Sequence, residues 1–362
     1  LRSFLKFTAL VALAALLLWW FARGVNWTQV RAELEGVNWW LIAAGIGVVC
    51  ATYVIRALRW RVLLAPVAES SVRNLLAATS VGFGAIFVIG RSGEVLRPTF
   101  LSLVDRRVRP AASFVTIGVE RIYDMAAVVL IFAVNLIWFR APGADLAAYA
   151  RVRQVGFFML GAFVVGIAAL VWFRAHAPTL IGWLDAKFER ATPAVRRGGN
   201  FLTGVLDQLR LALGVLVNAS ALAVTVGWTA ALWSVIALAN FCVLRAFNLP
   251  FGATETVFVL GWALVGSLVP TPGGAAGAFH VATARGLSFL GVADAKATAV
   301  SIVLHLVLFG PAFFLGLYFF LRSDVKLSRL RGAAREASDA GDDAKARVRF
   351  AGEGKTSATV AR

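Results

Sequence analysis

Long apolar runs alternate with short polar breaks along this chain, and the run lengths carry the first information. A helix crossing the hydrocarbon core of a bilayer needs about 20 predominantly apolar residues. Runs of that kind predict six spans, at residues 4–22, 38–55, 111–139, 155–173, 219–244 and 295–321. Two other apolar stretches are interrupted. Residues 75–89 run into Gly90-Arg91-Ser92-Gly93-Glu94-Val95-Leu96-Arg97-Pro98, and only residues 99–104 resume. Residues 254–268 run into Val269-Pro270-Thr271-Pro272-Gly273-Gly274-Ala275-Ala276-Gly277, and residues 278–290 resume. Each arm is too short to cross alone, and Pro with paired Gly cannot sit inside a regular helix. Two short arms around a polar turn predict a re-entrant hairpin. Broken backbone at membrane depth is tolerated only where protein or a water-filled cavity surrounds it. For the first break, an ordinary interhelical loop is the plainer alternative.

Basic flanks orient these elements, since Lys and Arg collect on the cytoplasmic side. Arg2 and Lys6 stand at the start of the first span, and Trp19-Trp20-Phe21-Ala22-Arg23 offers no small-x-small cleavage site, so that span is expected to be retained. Arg56-Ala57-Leu58-Arg59-Trp60-Arg61 closes the second span on the cytoplasmic side. Arg73 and Asp105-Arg106-Arg107-Val108-Arg109-Pro110 flank the first break, which suits a hairpin that dips in and returns. Both termini are then cytoplasmic, in a bacterial-type inner (plasma) membrane. The polar insertion 174–216 carries apolar stripes at Ile181, Leu184 and Phe188, and at Leu202, Val205, Leu206, Leu209 and Leu213. These predict amphipathic helices, on the membrane surface or packed on the bundle. Residues 322–362 read as a disordered basic cytoplasmic tail.

The element order repeats with opposite orientation. Halves at about 1–140 and 151–321 each contain two spans, a broken hairpin and a further span, within one membrane domain over 1–321. Paired broken segments in corresponding positions point to a transporter's central site.

Composition agrees with this all-α polytopic membrane reading: 60% of residues are hydrophobic and 15% charged. The formal net charge of +17 therefore argues for topology and anionic lipid, not nucleic acid. Cys50 and Cys242 lie in apolar runs without metal-ligand spacing, and there are three histidines. No Gly-Lys-Ser/Thr loop is present, so no nucleotide cofactor is expected, and without a metal-spaced His/Asp cluster neither a metal nor enzyme chemistry is expected.

The candidate chemistry lies at the breaks. The second arm of each hairpin starts at the break, where unpaired N–H groups and the helix dipole favour an anion. Arg91, Arg97 and Arg121 add cationic donors, and arginine's planar fork suits a phosphate. Glu94, Glu120 and Asp124 offset that charge, the last two sharing one helix face at i and i+4. Pro272, Gly273, Gly274, Gly277 and His280 complete the candidate head-group site. Purely structural pairing is the alternative: Arg97 with Glu94, and Arg121 with Glu120, Asp124 or Glu94. His280 and His305 also suit plain packing roles.

Arg59-Trp60, Gly90-Arg91-x-Gly93-Glu94-x-x-Arg97, Glu120-Arg121-x-x-Asp124 and Pro272-Gly273-Gly274, in this order, resemble the lysylphosphatidylglycerol synthase transmembrane-region family of flippase-like proteins. The resemblance covers residues 4–321 and implies movement of lipids or lipid-linked intermediates between leaflets. The family pattern continues Pro-Gly-Gly-x-Gly-x-x-Glu, whereas this chain is one residue longer and has His280 near the glutamate position. It resembles the flippase part without the soluble synthase domain. The expected function is translocation of a phospholipid or polyprenyl-linked lipid through a central polar cavity. A non-catalytic partner of envelope-biosynthesis glycosyltransferases and a membrane-embedded lipid-modifying enzyme are the alternatives. A homo-oligomer is compatible with all three.

Overall fold

The computed structural model describes residues 25–66, 68–108, 110–139, 146–189, 219–269, 273–323 and 325, with isolated positions 16, 19, 23, 199, 202, 203 and 206. Among these every regular element is helical. The elements are α1 (Trp27–Glu35), α2 (Trp39–Leu64), α3 (Val72–Ile89), a 3-10 helix (Gly90–Val95), α4 (Leu96–Val104), α5 (Pro110–Trp138), α6 (Leu146–Glu189), α7 (Ala219–Ala246), α8 (Ala253–Ser267), α9 (Ala276–Phe289) and α10 (Asp294–Leu321). Most of the predicted first span, of the insertion 174–216 beyond residue 189, and of the tail 322–362 lies outside the described residues.

Helix starts follow local chemistry. The Asn38 side chain accepts from Trp40 and Leu41 N–H at 3.1 and 3.3 Å, satisfying donors that the first turn of α2 cannot pair internally. Asn26 and Ser71 do the same for α1 and α3. Among the described residues, five helices are long and apolar enough to cross a membrane: Trp39–Leu64, Val72–Ile89, Arg153–Phe188, Ser220–Ala246 and Asp294–Leu321. The sequence predicts the first arm as too short to cross. The Ser71 cap lets α3 begin at Val72 and reach 18 residues. Helix α1 carries no long apolar run and was not predicted. Helix α6 continues through Pro178 into the predicted insertion instead of stopping at residue 173. It packs chiefly on α5 and exposes Phe158, Val165 and Trp172.

The first broken stretch is an antiparallel helical hairpin. Gly93 lies against the Ala85–Ile86 backbone and Gly82 against Arg97, where an added Cβ would come within 2.5 Å. At its mouth the Ser70 hydroxyl donates to Asp105 Oδ2 at 2.8 Å, so chain entry and exit meet. The second broken stretch pairs α8 with α9 in the same manner: Gly266 abuts Ala278–Phe279, and the Phe258 and Phe289 rings are 5.4 Å apart.

The hairpins are held by long helices. Helices α2 and α7 run antiparallel, with Asn38 N–H donating to Ala246 O at 2.9 Å and Gly45 facing Ala239 and Cys242. Helix α10 lies along α3, with Gly84 against Ala312 and Gly316 against Ser80. Small residues at a crossing let two backbones approach, which drives packing where lipid removes the hydrophobic incentive. Helix α5 packs on α8, α2 and α4. One apolar core gathers Val49, Tyr53, Val243, Phe279 and Leu304, and a second gathers Trp60, Leu75, Phe100 and Leu101.

Candidate functional site

Three helices bring charges into the interior, and a fourth supplies a hydroxyl partner. Arg59 of α2 is fully buried and holds Asp124 of α5 in a fork, Nη1 to Oδ1 at 2.6 Å and Nη2 to Oδ2 at 3.1 Å. Its Nη1 also donates to Thr229 Oγ1 of α7 at 3.1 Å, and its Nη2 lies 3.1 Å from Glu120 Oε1. Arg97 of α4 holds Glu120 in a second fork, both arms at 2.9 Å. Glu120 therefore bridges two arginines. The Arg97 guanidinium lies 4.2 Å from the centre of the Trp60 ring, and Trp60 Nε1 donates to Thr116 Oγ1 at 3.0 Å. Charges buried to this depth persist only when paired and hydrogen-bonded, and planar forks are the geometry that does it. The quartet of Arg59, Arg97, Glu120 and Asp124 is neutral and ties α2, α4, α5 and α7 together.

Two further arginines stand beside it. Arg56 is one turn before Arg59 on α2, half-buried, with its guanidinium 4.6 Å from the Phe83 ring centre. Arg121 reaches Asp124 only at 3.9 Å and is more than a third exposed. Arg56 lies within the electrostatic field of Asp124, Arg59, Glu120 and Arg121.

The second break forms its own cluster. Gly273, Gly274 and Ala275 have φ of +75°, +63° and +60°, a left-handed turn that two glycines adopt without steric cost. Gly273 N–H donates to Phe87 O at 2.7 Å, so the tip of the second hairpin is pinned to the last turn of α3. His305 Nε2 lies 3.2 Å from Gly274 O. The His280 and His305 rings stand edge-on with centroids 4.9 Å apart, among Phe279 and Phe309. Gly277 is buried in the first turn of α9.

The fold thus brings together Arg97, Glu120, Arg121 and Asp124 from the sequence-predicted set, and separately Gly273, Gly274, Gly277 and His280. No hydrogen bond or ion pair joins the two groups among the described residues. Both border α3, where the Phe83 ring faces the Arg56 and Arg97 guanidiniums and Phe87 O accepts from Gly273 N–H. Arg97 pairs with Glu120 and not with Glu94, because the hairpin turns its side chain toward α5. Glu94 is half-buried in the 3-10 helix and makes no ion pair among the described residues. The Arg91 side chain and Pro272 lie outside the described residues. The Gly273 N–H, one of the donors expected to face an anion, is already taken by Phe87.

Sequence reasoning missed Arg56 and Arg59, reading both as topology signals at a helix end. Helix α2 runs on to Leu64, and Leu63 and Leu64 after the arginines were the available sign. The groove between the start of α2 and the end of α7, lined by Leu41, Phe241 and Arg245, contains none of these residues. Outside the helices, Asp105 at the hairpin mouth accepts from Arg107 Nε at 2.9 Å, from its backbone N–H at 3.3 Å and from Ser70. The Arg107 bond above all lowers its carboxyl from 3.8 to about 2.

A family model described as "Lysylphosphatidylglycerol synthase TM region" matches residues 7–316. No curated protein and no solved structure matches the chain.

Proposed function

From the premise that this chain belongs to the lysylphosphatidylglycerol synthase TM region family, and is an integral membrane protein, we propose that it translocates a phospholipid or lipid-linked intermediate between leaflets. The observation that carries this reading is the pair of helical hairpins meeting at Gly273 and Phe87 beside a buried set of charges. Half-helices that end inside a membrane bundle are how transporters present backbone groups and charges to a polar cargo at mid-depth. The hairpins α3–α4 and α8–α9 are then re-entrant, and the remaining long helices cross. An inverted repeat is supported by partner exchange. Helix α10 of the second half packs on the first hairpin, and α5 of the first half packs on the second, while α2 and α7 pair with each other. Rocking of one half against the other would carry a head group past the quartet while acyl tails stay in lipid.

The test is reconstitution into vesicles carrying a fluorescent phospholipid in both leaflets, with an impermeant quencher added outside. Protein-dependent loss of the protected inner-leaflet signal, without a new lipid species, is expected. A signal identical to empty vesicles for both anionic and zwitterionic lipids removes the proposal.

A further inference from the structure

The charges around the quartet do not balance. Arg59 and Arg97 are matched by Glu120 and Asp124, but Arg56 and Arg121 are not. Arg56 makes no hydrogen bond or ion pair among the described residues and rests on the Phe83 ring alone. Arg121 reaches only Asp124, 3.9 Å away and already forked by Arg59, and its buried Nε, like those of Arg59 and Arg97, has no hydrogen-bond partner among the described residues. The two matched arginines are the deeper ones; Arg56 is partly buried beside them and Arg121 is more than a third exposed. Glu94, the other carboxylate near Arg97 in sequence, would still leave the arginines in excess by one. Placing like charges close together where water is scarce is costly unless an anion joins them. A cation on an aromatic face with open guanidinium donors is suited to a phosphate, which accepts from planar forks.

We infer that Arg56 and Arg121 are the ligands of a phosphate group, and that the lipid taken up here has a net negative head group. The inference rests on the lipid reading above and deepens it. A zwitterionic head group brings an ammonium, and Glu120 and Asp124 are already occupied by Arg59 and Arg97. The quartet then acts as positioning machinery: it holds Arg56 and Arg121 at the edge without itself touching the ligand.

The experiment measures binding of short-chain phosphatidylglycerol, short-chain phosphatidylcholine and inorganic phosphate to the purified full chain in neutral detergent. Phosphatidylglycerol is expected to bind roughly tenfold or more tighter than phosphatidylcholine, the scale of one charge-assisted hydrogen bond. Arg56→Gln and Arg121→Gln should each erase that preference, while Arg56→Lys keeps part of it. Unchanged melting temperatures in the same detergent separate ligand loss from unfolding. If Arg56→Gln does not fold, the partly exposed Arg121→Gln decides. Preference retained in both Gln variants overturns the inference, as does equal binding of the two lipids. Inorganic phosphate that binds while neither lipid displaces it also overturns it, by assigning the site to a soluble anion. Selective phosphatidylglycerol binding by a protein that moves no lipid in vesicles would leave this inference standing and remove the translocation proposal.

Discussion

Glu120 is the residue on which most interior pairing depends. It serves Arg59 and Arg97 at once, so Glu120→Gln leaves two buried guanidiniums short of a counter-charge. Removing one partner of a buried pair costs about 3–5 kcal/mol. Asp124→Asn keeps one of the two oxygens that Arg59 uses, and Arg59 retains Glu120 and Thr229. Its expected cost is smaller, about 1–3 kcal/mol. Thermal unfolding in detergent should therefore rank Glu120→Gln well below Asp124→Asn, and equal losses would contradict the bridging role. Ala275 is a second sensitive position. It holds φ +60° without a glycine's freedom, so Ala275→Gly should raise stability by about 1 kcal/mol. Gly274→Val should do the opposite, since a Cβ there meets Phe309 at 3.0 Å in a left-handed turn. These residues were unevenly legible. The Pro and Gly of the second break announce themselves locally. The partner of Arg97 does not, because Glu94 and Glu120 are equally plausible acids until the hairpin's direction is known.

At the scale of elements, the first hairpin is clasped at its mouth by Asp105, Ser70 and Arg107. The folded Asp105 carboxyl is depressed from 3.8 to about 2, so the clasp contributes fully above pH 4 and is lost as pH falls toward 2. Protection of α4 amides against hydrogen exchange, taken relative to the intrinsic rate at each pH, should fall across that window in the native chain. Asp105→Asn should show the lower protection already at neutral pH and lose the pH dependence. Periodicity and flanking residues located α2, α5, α7, α8, α9 and α10 to within a few residues at nearly every end. The exception is the C-terminal end of α2, which extends nine residues past its expected stop. Arg56, Arg59 and Arg61 lower local hydropathy and read as an exit from lipid, although Arg59 is fully buried. Hydropathy averages over a helix and cannot see that one face is paired.

For the whole molecule, the hairpin makes a topological prediction. Residues 70 and 105 meet, so positions 73 and 107 belong at one end of the bundle. With Cys50 and Cys242 replaced by alanine, single cysteines at 73 and 107 should react with an impermeant thiol reagent from the same side of sealed vesicles. Opposite-side labelling would make the first broken stretch a true crossing.

By itself the sequence determined that this chain is a helical membrane protein with two broken hairpins, and it carried the ordered motifs of its family. These are local properties: run length, Pro and Gly at breaks, and basic flanks act within a few turns of chain. Only the tertiary structure decided which charges pair. Arg59 finds Glu120 and Asp124 across more than sixty residues, and Arg97 finds Glu120 across twenty-three. Such choices depend on which helices touch and which faces they present. The same packing decided that Gly273 meets Phe87 and that Arg56 and Arg121 stand apart from the paired quartet, because burial forces the two α5 carboxylates onto the deepest guanidiniums.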